Sequence, residues 1–189
     1  MSNLHTYREQ GYLVLEEGLA HPRQFRLAEL ALNNNYLRTK PNQSSSLMKL
    51  LTSKDIMSSV GLILTTDSDA DHKIEIQFVD QSCLVQSNDF YHSGIAPFLG
   101  IEDNPNHTTL VIVLNAKEKV QPLNILPKDL SDTFRTNPFI PVPESLIEPL
   151  VPNHSSFFIS PELFWKTKPS LEVNPHSLLI VRYSSVALY

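Results

Sequence analysis

Fourteen prolines, twelve of them from Pro97 onward, constrain this 189-residue sequence more than any other feature. Proline inside a helix removes a backbone donor and clashes with the preceding turn, at a cost of about 3 kcal/mol. The second half therefore excludes long helices, and its apolar runs are read as strands. The five glycines are too few for a repetitive tight-turn architecture, and they form no phosphate cradle.

Upstream of the prolines the apolar spacing is helical. Leu4 to Gln10 predicts a short helix leading into a strand at Gly11–Leu15. Pro22 suits a first helical turn, and Phe25, Leu27, Ala28, Leu30, Ala31 and Leu32 continue at helical spacing to an end near Asn33–Asn35. A second helix is expected over Ser46–Val60, with Leu47, Leu50, Leu51 and Ile56 near one face. Thr52 to Asp55 offers a new N-cap that would divide it.

From Gly61 the period shortens to two. Leu62–Thr65 predicts a strand. Ile74, Ile76 and Phe78 alternate with Glu75 and Gln77, as in a strand with one wet face. Cys83–Val85 would continue that sheet, and Thr108–Leu114 reads as a more deeply buried strand. A short helix near Pro127–Phe134 and strands at Ser156–Ile159 and Ser177–Val186 complete the series. The expected organisation is one domain over residues 1–189, with a helical buttress at 1–60. Residues 61–189 form the β-rich part, carrying a Pro-rich insertion at about 116–152. Early helices packed on a later sheet or barrel make the fold class α+β.

Charge and cysteine content narrow the partners. The net charge is −5, and Arg23, Arg26, Arg38, Lys40 and Lys49 are dispersed. Both argue against nucleic acid, whose affinity comes from clustered Lys and Arg. Met1 to Gln10 lacks the apolar core of a signal peptide, and no apolar run is long enough to cross a bilayer, so a cytoplasmic, membrane-free protein is expected. The single cysteine, Cys83, excludes an intramolecular disulfide and a Cys-rich zinc site, and with no adjacent base it reads as a buried thiol. No Gly-x-Ser-x-Gly elbow, P-loop or dinucleotide fingerprint occurs.

Three segments carry a resemblance. Tyr91-His92-Ser93-Gly94, followed after an insert by His107 to Asn115, is similar to the prolyl-hydroxylase-like branch of the iron- and 2-oxoglutarate-dependent oxygenases. Members carry a tyrosine before a metal-binding histidine, a carboxylate two residues after it, and a strand ending in Leu-Asn. Tyr7 to Leu15 looks like the usual start of these proteins, and Val173 to Ser185 resembles their late strand. The resemblance implies N-terminal helices packed on a double-stranded β-helix, a cupin-like jelly-roll barrel or sandwich. It also implies Fe(II) and 2-oxoglutarate as cofactors and a small-molecule or side-chain substrate.

Carried over by residue, it makes His92 the catalytic and metal residue and His176 a second metal ligand. Arg182, Ser184 and Tyr91 become the cosubstrate-binding group, through an Arg-x-Ser pair. The sequence departs from the pattern at Gly94, where hydroxylases have Asp or Glu; a His-x-Gly pair resembles the halogenase branch. A facial triad needs two histidines and a carboxylate, and Asp89, Glu102, Asp103 and His154 are further candidates, each also suited to a solvated loop. The sequence ends at Tyr189 about where the distal histidine would follow. On one strand His176 and Arg182 would share a face about 20 Å apart. His107, before its strand, is a candidate hydrogen-bond donor at a pocket rim. Phe157, Phe158, Phe164 and Trp165 read first as core, with a ligand pocket or homo-oligomer contact as the functional alternative. Two functions follow: Fe(II)/2-oxoglutarate-dependent oxidation, or a catalytically inactive jelly-roll binding or assembly protein.

Overall fold

The computed structural model describes residues 3–15, 26–27, 30–31, 33–65, 71–79, 92–93, 106–114, 123–137, 148–149, 156–167 and 177–185. Helix α1 (Asn3–Gln10) ends at Gly11, whose φ of +79° turns the chain into β1 (Tyr12–Leu15). Gly11 N–H donates to the Tyr7 carbonyl at 2.8 Å, closing the helix. Glycine adopts this left-handed conformation without penalty. Space enforces it too, because a Cβ at this position would lie 2.8 Å from the Leu163 side chain.

The Asn33–Asn35 stretch does more than end a helix. The Asn34 side chain accepts from Tyr36 N–H and caps a further short helix, α2 (Asn35–Thr39). A 3-10 turn at Pro41–Gln43 leads into α3 (Ser45–Leu51), capped by Ser44 Oγ, which accepts from Leu47 N–H at 3.2 Å. The chain then breaks at Thr52–Ser53 and restarts as α4 (Lys54–Leu64), so the division expected from the Thr52–Asp55 segment is present.

The strand expected at Leu62–Thr65 is a correction: Leu62 to Leu64 are the last turn of α4. The apolar run imitates a strand, but Ile56, Val60 and Ile63 keep helical spacing on the packed face while Leu62 points outward, 57% exposed. The helix stops at Thr65, which takes a left-handed φ of 55°.

The remaining strands are β2 (His72–Val79), β3 (His92–Ser93), β4 (His107–Leu114), β5 (Leu123–Ile125), β6 (Glu148–Pro149), β7 (Ser156–Ile159), β8 (Phe164–Thr167) and β9 (Ser177–Ser185). Helix α5 (Lys128–Thr136) falls within the proline-rich stretch, close to its expected place. The strands form two sheets, in the orders β1-β7-β4-β9-β2 and β3-β8-β5-β6. Among the described residues the two are not joined into a closed barrel. The segments Cys83–Val85, 16–25 and 115–122, and the residues Tyr91, His154 and His176, lie outside the described residues.

The larger sheet is antiparallel throughout. Successive side chains on a strand point to opposite faces, and here both faces bury apolar side chains. One face carries Leu13, Leu15, Leu110, Ile112, Phe158, Leu179, Val181 and Tyr183. They pack with Leu47, Leu50, Leu51, Ile56 and Val60 of the helices. Two hydrogen bonds pin the layers: Tyr183 OH donates to the Leu51 carbonyl at 2.9 Å, and Tyr7 OH shares a 2.9 Å hydrogen bond with Thr108 Oγ1. Burial pushes the Tyr7 phenol up to about 12, against the opposing pull of its Thr108 and Ser160 hydrogen bonds. Burial also pushes Tyr183 up. The opposite face carries Val111, Phe157, Ile159, Leu178 and Ile180, all buried. Helices α3 and α4 thus cover the first of these faces, and the second is buried as well.

Candidate functional site

The face turned away from the helices is apolar at one end and polar at the other. Register decides this. Val14, Phe157, Val111, Ile180 and Gln77 align across the five strands in one row. The next row reads Tyr12, Ile159, Thr109, Arg182 and Glu75, and beyond it His107, Ser184 and Lys73 align. Directly opposed residues of an antiparallel pair share a face. Arg182, Ser184, His107 and Thr109 therefore form one polar cluster on the two central strands.

This cluster is buried: Arg182 is 3% exposed, His107 6%, Ser184 8% and Thr109 2%. A guanidinium can be taken out of water only if its donors are hydrogen-bonded. Arg182 Nη2 lies 3.1 Å from His107 Nδ1. Arginine has donors and no acceptor, so the nitrogen of His107 accepts and its ring is the neutral tautomer with the proton on Nε2. At the sheet edge Glu75, opposite Arg182, is held by Lys73 Nζ at 2.7 Å.

Of the site residues expected from sequence, Arg182 and Ser184 do share this face. His92 begins β3 in the other sheet, its backbone paired with Trp165 of β8. Tyr91, Gly94, Asp89, Glu102, Asp103, His154 and His176 lie outside the described residues. His107 is the first residue of β4, buried, with its Nδ1 accepting from Arg182 Nη2. Thr109 was not singled out by sequence. The signal was its position two residues after His107, which puts both on one strand face.

Among the described residues no group of three His, Cys, Asp or Glu side chains is placed to hold a metal ion. These residues do not fit an iron centre. Arg182 carries the positive charge of the cluster, with Ser184 and Thr109 placed by register on the same sheet face.

The fold itself is a class: an antiparallel sheet buttressed by N-terminal helices, with a second, smaller sheet. No family model matches the sequence, and no curated protein matches it. Solved structures share the fold. AviO1 from Streptomyces viridochromogenes Tue57 superposes with a TM-score of 0.64 at 9% identity, over 98% of this chain and 94% of that one. The non-heme alpha-ketoglutarate-dependent epimerase SnoN from nogalamycin biosynthesis gives 0.60 at 13% identity, over 97% and 82%. EvdO2 from Micromonospora carbonacea var. aurantiaca, complexed with 2-oxoglutarate, gives 0.59 at 12% identity, over 97% and 90%. At these identities the likeness is one of fold, which this chain shares with all three structures.

Proposed function

We propose that this chain is a binding module built on the iron- and 2-oxoglutarate-dependent oxygenase fold, related to the prolyl-hydroxylase-like branch. It takes up a small carboxylate, 2-oxoglutarate or a close analogue, through Arg182 and Ser184 without oxidising a substrate. The observation that carries this is the buried Arg182–His107 pair on the sheet face opposite the helices, with Ser184 and Thr109 beside it. Gly94 argues against hydroxylation, since glycine brings no oxygen ligand for iron where hydroxylases carry Asp or Glu. The fold alone cannot choose between binding and catalysis. No helix among the described residues is long and apolar enough to cross a membrane, which is compatible with the proposed cytoplasmic setting.

A second reading, Fe(II)- and 2-oxoglutarate-dependent oxidation with His92 as first ligand, is favoured by the likeness to structures such as SnoN and EvdO2. One experiment separates the two. Under anaerobic conditions the purified chain is titrated with 2-oxoglutarate, with and without Fe(II), by calorimetry and visible absorption. The binding-module proposal expects metal-independent uptake that Arg182→Gln abolishes, and no metal-to-ligand charge-transfer band. A band that disappears in His92→Ala would overturn it in favour of the oxygenase.

A further inference from the structure

We infer that the outer flank of the N-terminal helices is a peripheral docking surface for an anionic membrane. Leu27, Leu30 and Tyr36 would enter the headgroup layer, while Arg26, Lys40 and Lys49 meet its charge. Large apolar side chains exposed singly on a surface need no explanation. These are grouped. Residues 26–27 and 30–31 are helical, and side chains three apart on a helix are neighbours. Leu27 is 46% exposed and Leu30 57%. The Leu27 carbonyl accepts from Ser46 Oγ of α3 at 3.5 Å, and Ser46 Oγ shares a 3.2 Å hydrogen bond with Ser44 Oγ. Next to Ser44 in sequence, the Gln43 side chain accepts from Tyr36 OH at 2.7 Å, and Tyr36 is 55% exposed. The three apolar side chains are thus linked through one short run of surface.

Charge decides what covers this surface. Residues 22–54 hold six lysines and arginines against one acid, Glu29, a local net charge of +5 in a chain that is −5 as a whole. Arg26 adjoins Leu27, Lys49 lies one helical turn from Ser46 on α3, and both are exposed. Exposed Lys40 places its Nζ 5.5 Å from the Tyr36 ring centroid. Arg38 is engaged elsewhere, 4.7 Å over the Phe78 ring. Apolar tips among exposed cations suit an anionic lipid surface. The cations gain from its negative potential, and the apolar side chains gain from burial at the acyl boundary. An acidic protein would satisfy the charge but would also need a matching shape. Helix α2 buries none of its residues, so this flank offers a ridge, and a lipid surface needs no recess. Such a contact lies on the membrane and requires no spanning helix.

The test is sedimentation of the full chain with large unilamellar vesicles, of phosphatidylcholine alone or with about 30% phosphatidylserine, at about 0.1 and about 0.5 M salt. Thermal unfolding of each variant accompanies it. Wild type should bind the phosphatidylserine vesicles about tenfold or more tightly than the neutral ones, and high salt should remove the difference. Lys40→Gln with Lys49→Gln should weaken binding by about tenfold or more, since each basic residue near such a surface is worth about fivefold. Leu27→Ser with Leu30→Ser should weaken it by about tenfold at constant charge. Melting temperatures should stay within about 2 °C of wild type, because the altered side chains are exposed. Leu62→Ser is the control: Leu62 is 57% exposed, but no lysine or arginine lies between Lys54 and Lys73, so binding should be unchanged. Absence of binding to the phosphatidylserine vesicles overturns the inference. So does binding that survives the leucine pair unchanged, which would be adsorption by charge alone. Equal loss in Leu62→Ser overturns the placement on this flank. A chain that ignores the vesicles yet binds a polyglutamate peptide through Lys40 and Lys49 would have an acidic protein as its partner, and the membrane assignment falls.

Discussion

The hydrogen bond from Tyr183 OH to the Leu51 carbonyl offers a direct measure of how tightly the helix layer sits on the sheet. Leu51 is the last residue of α3, where carbonyls have no helical partner. The N–H groups of Thr52 and Ser53 return to Met48 and Leu50, and the Leu51 carbonyl takes the phenol of β9 at 2.9 Å. Tyr183 is fully buried, so Tyr183→Phe leaves the ring packing in place and deletes only the donor. The lost hydrogen bond is worth about 1 kcal/mol net, and the carbonyl left unsatisfied adds to that within a range of about 1–3 kcal/mol. The expected destabilisation is about 2 kcal/mol, which for a chain of this size lowers the melting temperature by roughly 4–8 °C. Urea unfolding followed by circular dichroism gives the free energy, with an unchanged m-value as the sign that the native fold is retained. A loss below about 0.5 kcal/mol would refute the reasoning, because water would then have to reach the Leu51 carbonyl between two fully buried side chains.

Other expectations concern the same interface and its supports. Gly11→Ala combines a left-handed φ of +79° with a Cβ 2.8 Å from Leu163. It should cost about 2–3 kcal/mol in urea unfolding, and a Leu163→Ala background should recover the steric part only. Ser44→Ala removes the cap of α3 and should cost about 1 kcal/mol, with Ser44→Asp close to wild type by the same measurement. Tyr7 is raised from 10.0 to about 12 by burial. The folded state therefore favours the protonated phenol, and that contribution is complete below pH 10 and lost as pH rises through about 12. Unfolding free energies measured between pH 9 and 12 should fall by about 2–3 kcal/mol more in wild type than in Tyr7→Phe.

The elements most legible in the sequence were those with sharp chemical boundaries. β7 occupies Ser156–Ile159 as expected, and the described residues of β9, Ser177–Ser185, fall within the expected Ser177–Val186. β7 is a short apolar run between serines, and β9 opens on the four apolar residues Leu178–Val181 after Ser177. The Leu62–Thr65 error arose because three consecutive apolar residues carry no period of their own; only Ile56 and Val60, one and two turns earlier, show which period they continue. β8 was seen only as an aromatic cluster, since four residues from Phe164 to Thr167 are too few to display alternation against the neighbouring turn. At the candidate site, Arg182 and Ser184 were legible as a pair from their spacing along one strand. The contact with His107 was not, because it spans 75 positions in sequence and exists only through the β4–β9 register. Alternation tells which residues share a face of one strand; it cannot tell which strand lies alongside.

The order β1-β7-β4-β9-β2 also bears on how the chain comes off the ribosome. β9 is the latest of the described strands to be synthesised, yet it lies between β4 and β2 and is the neighbour that both share. Until it emerges, β2 lacks its partner in this sheet and β4 presents an open edge carrying Leu110, Val111 and Ile112. Translation of the preceding strands thus yields apolar edges that nothing local can close, the situation in which nascent chains depend on chaperones or pair with one another. A ribosome stalled before Ser177 should display a protease-sensitive chain, and extending it past Ser185 should bring resistance in a single step.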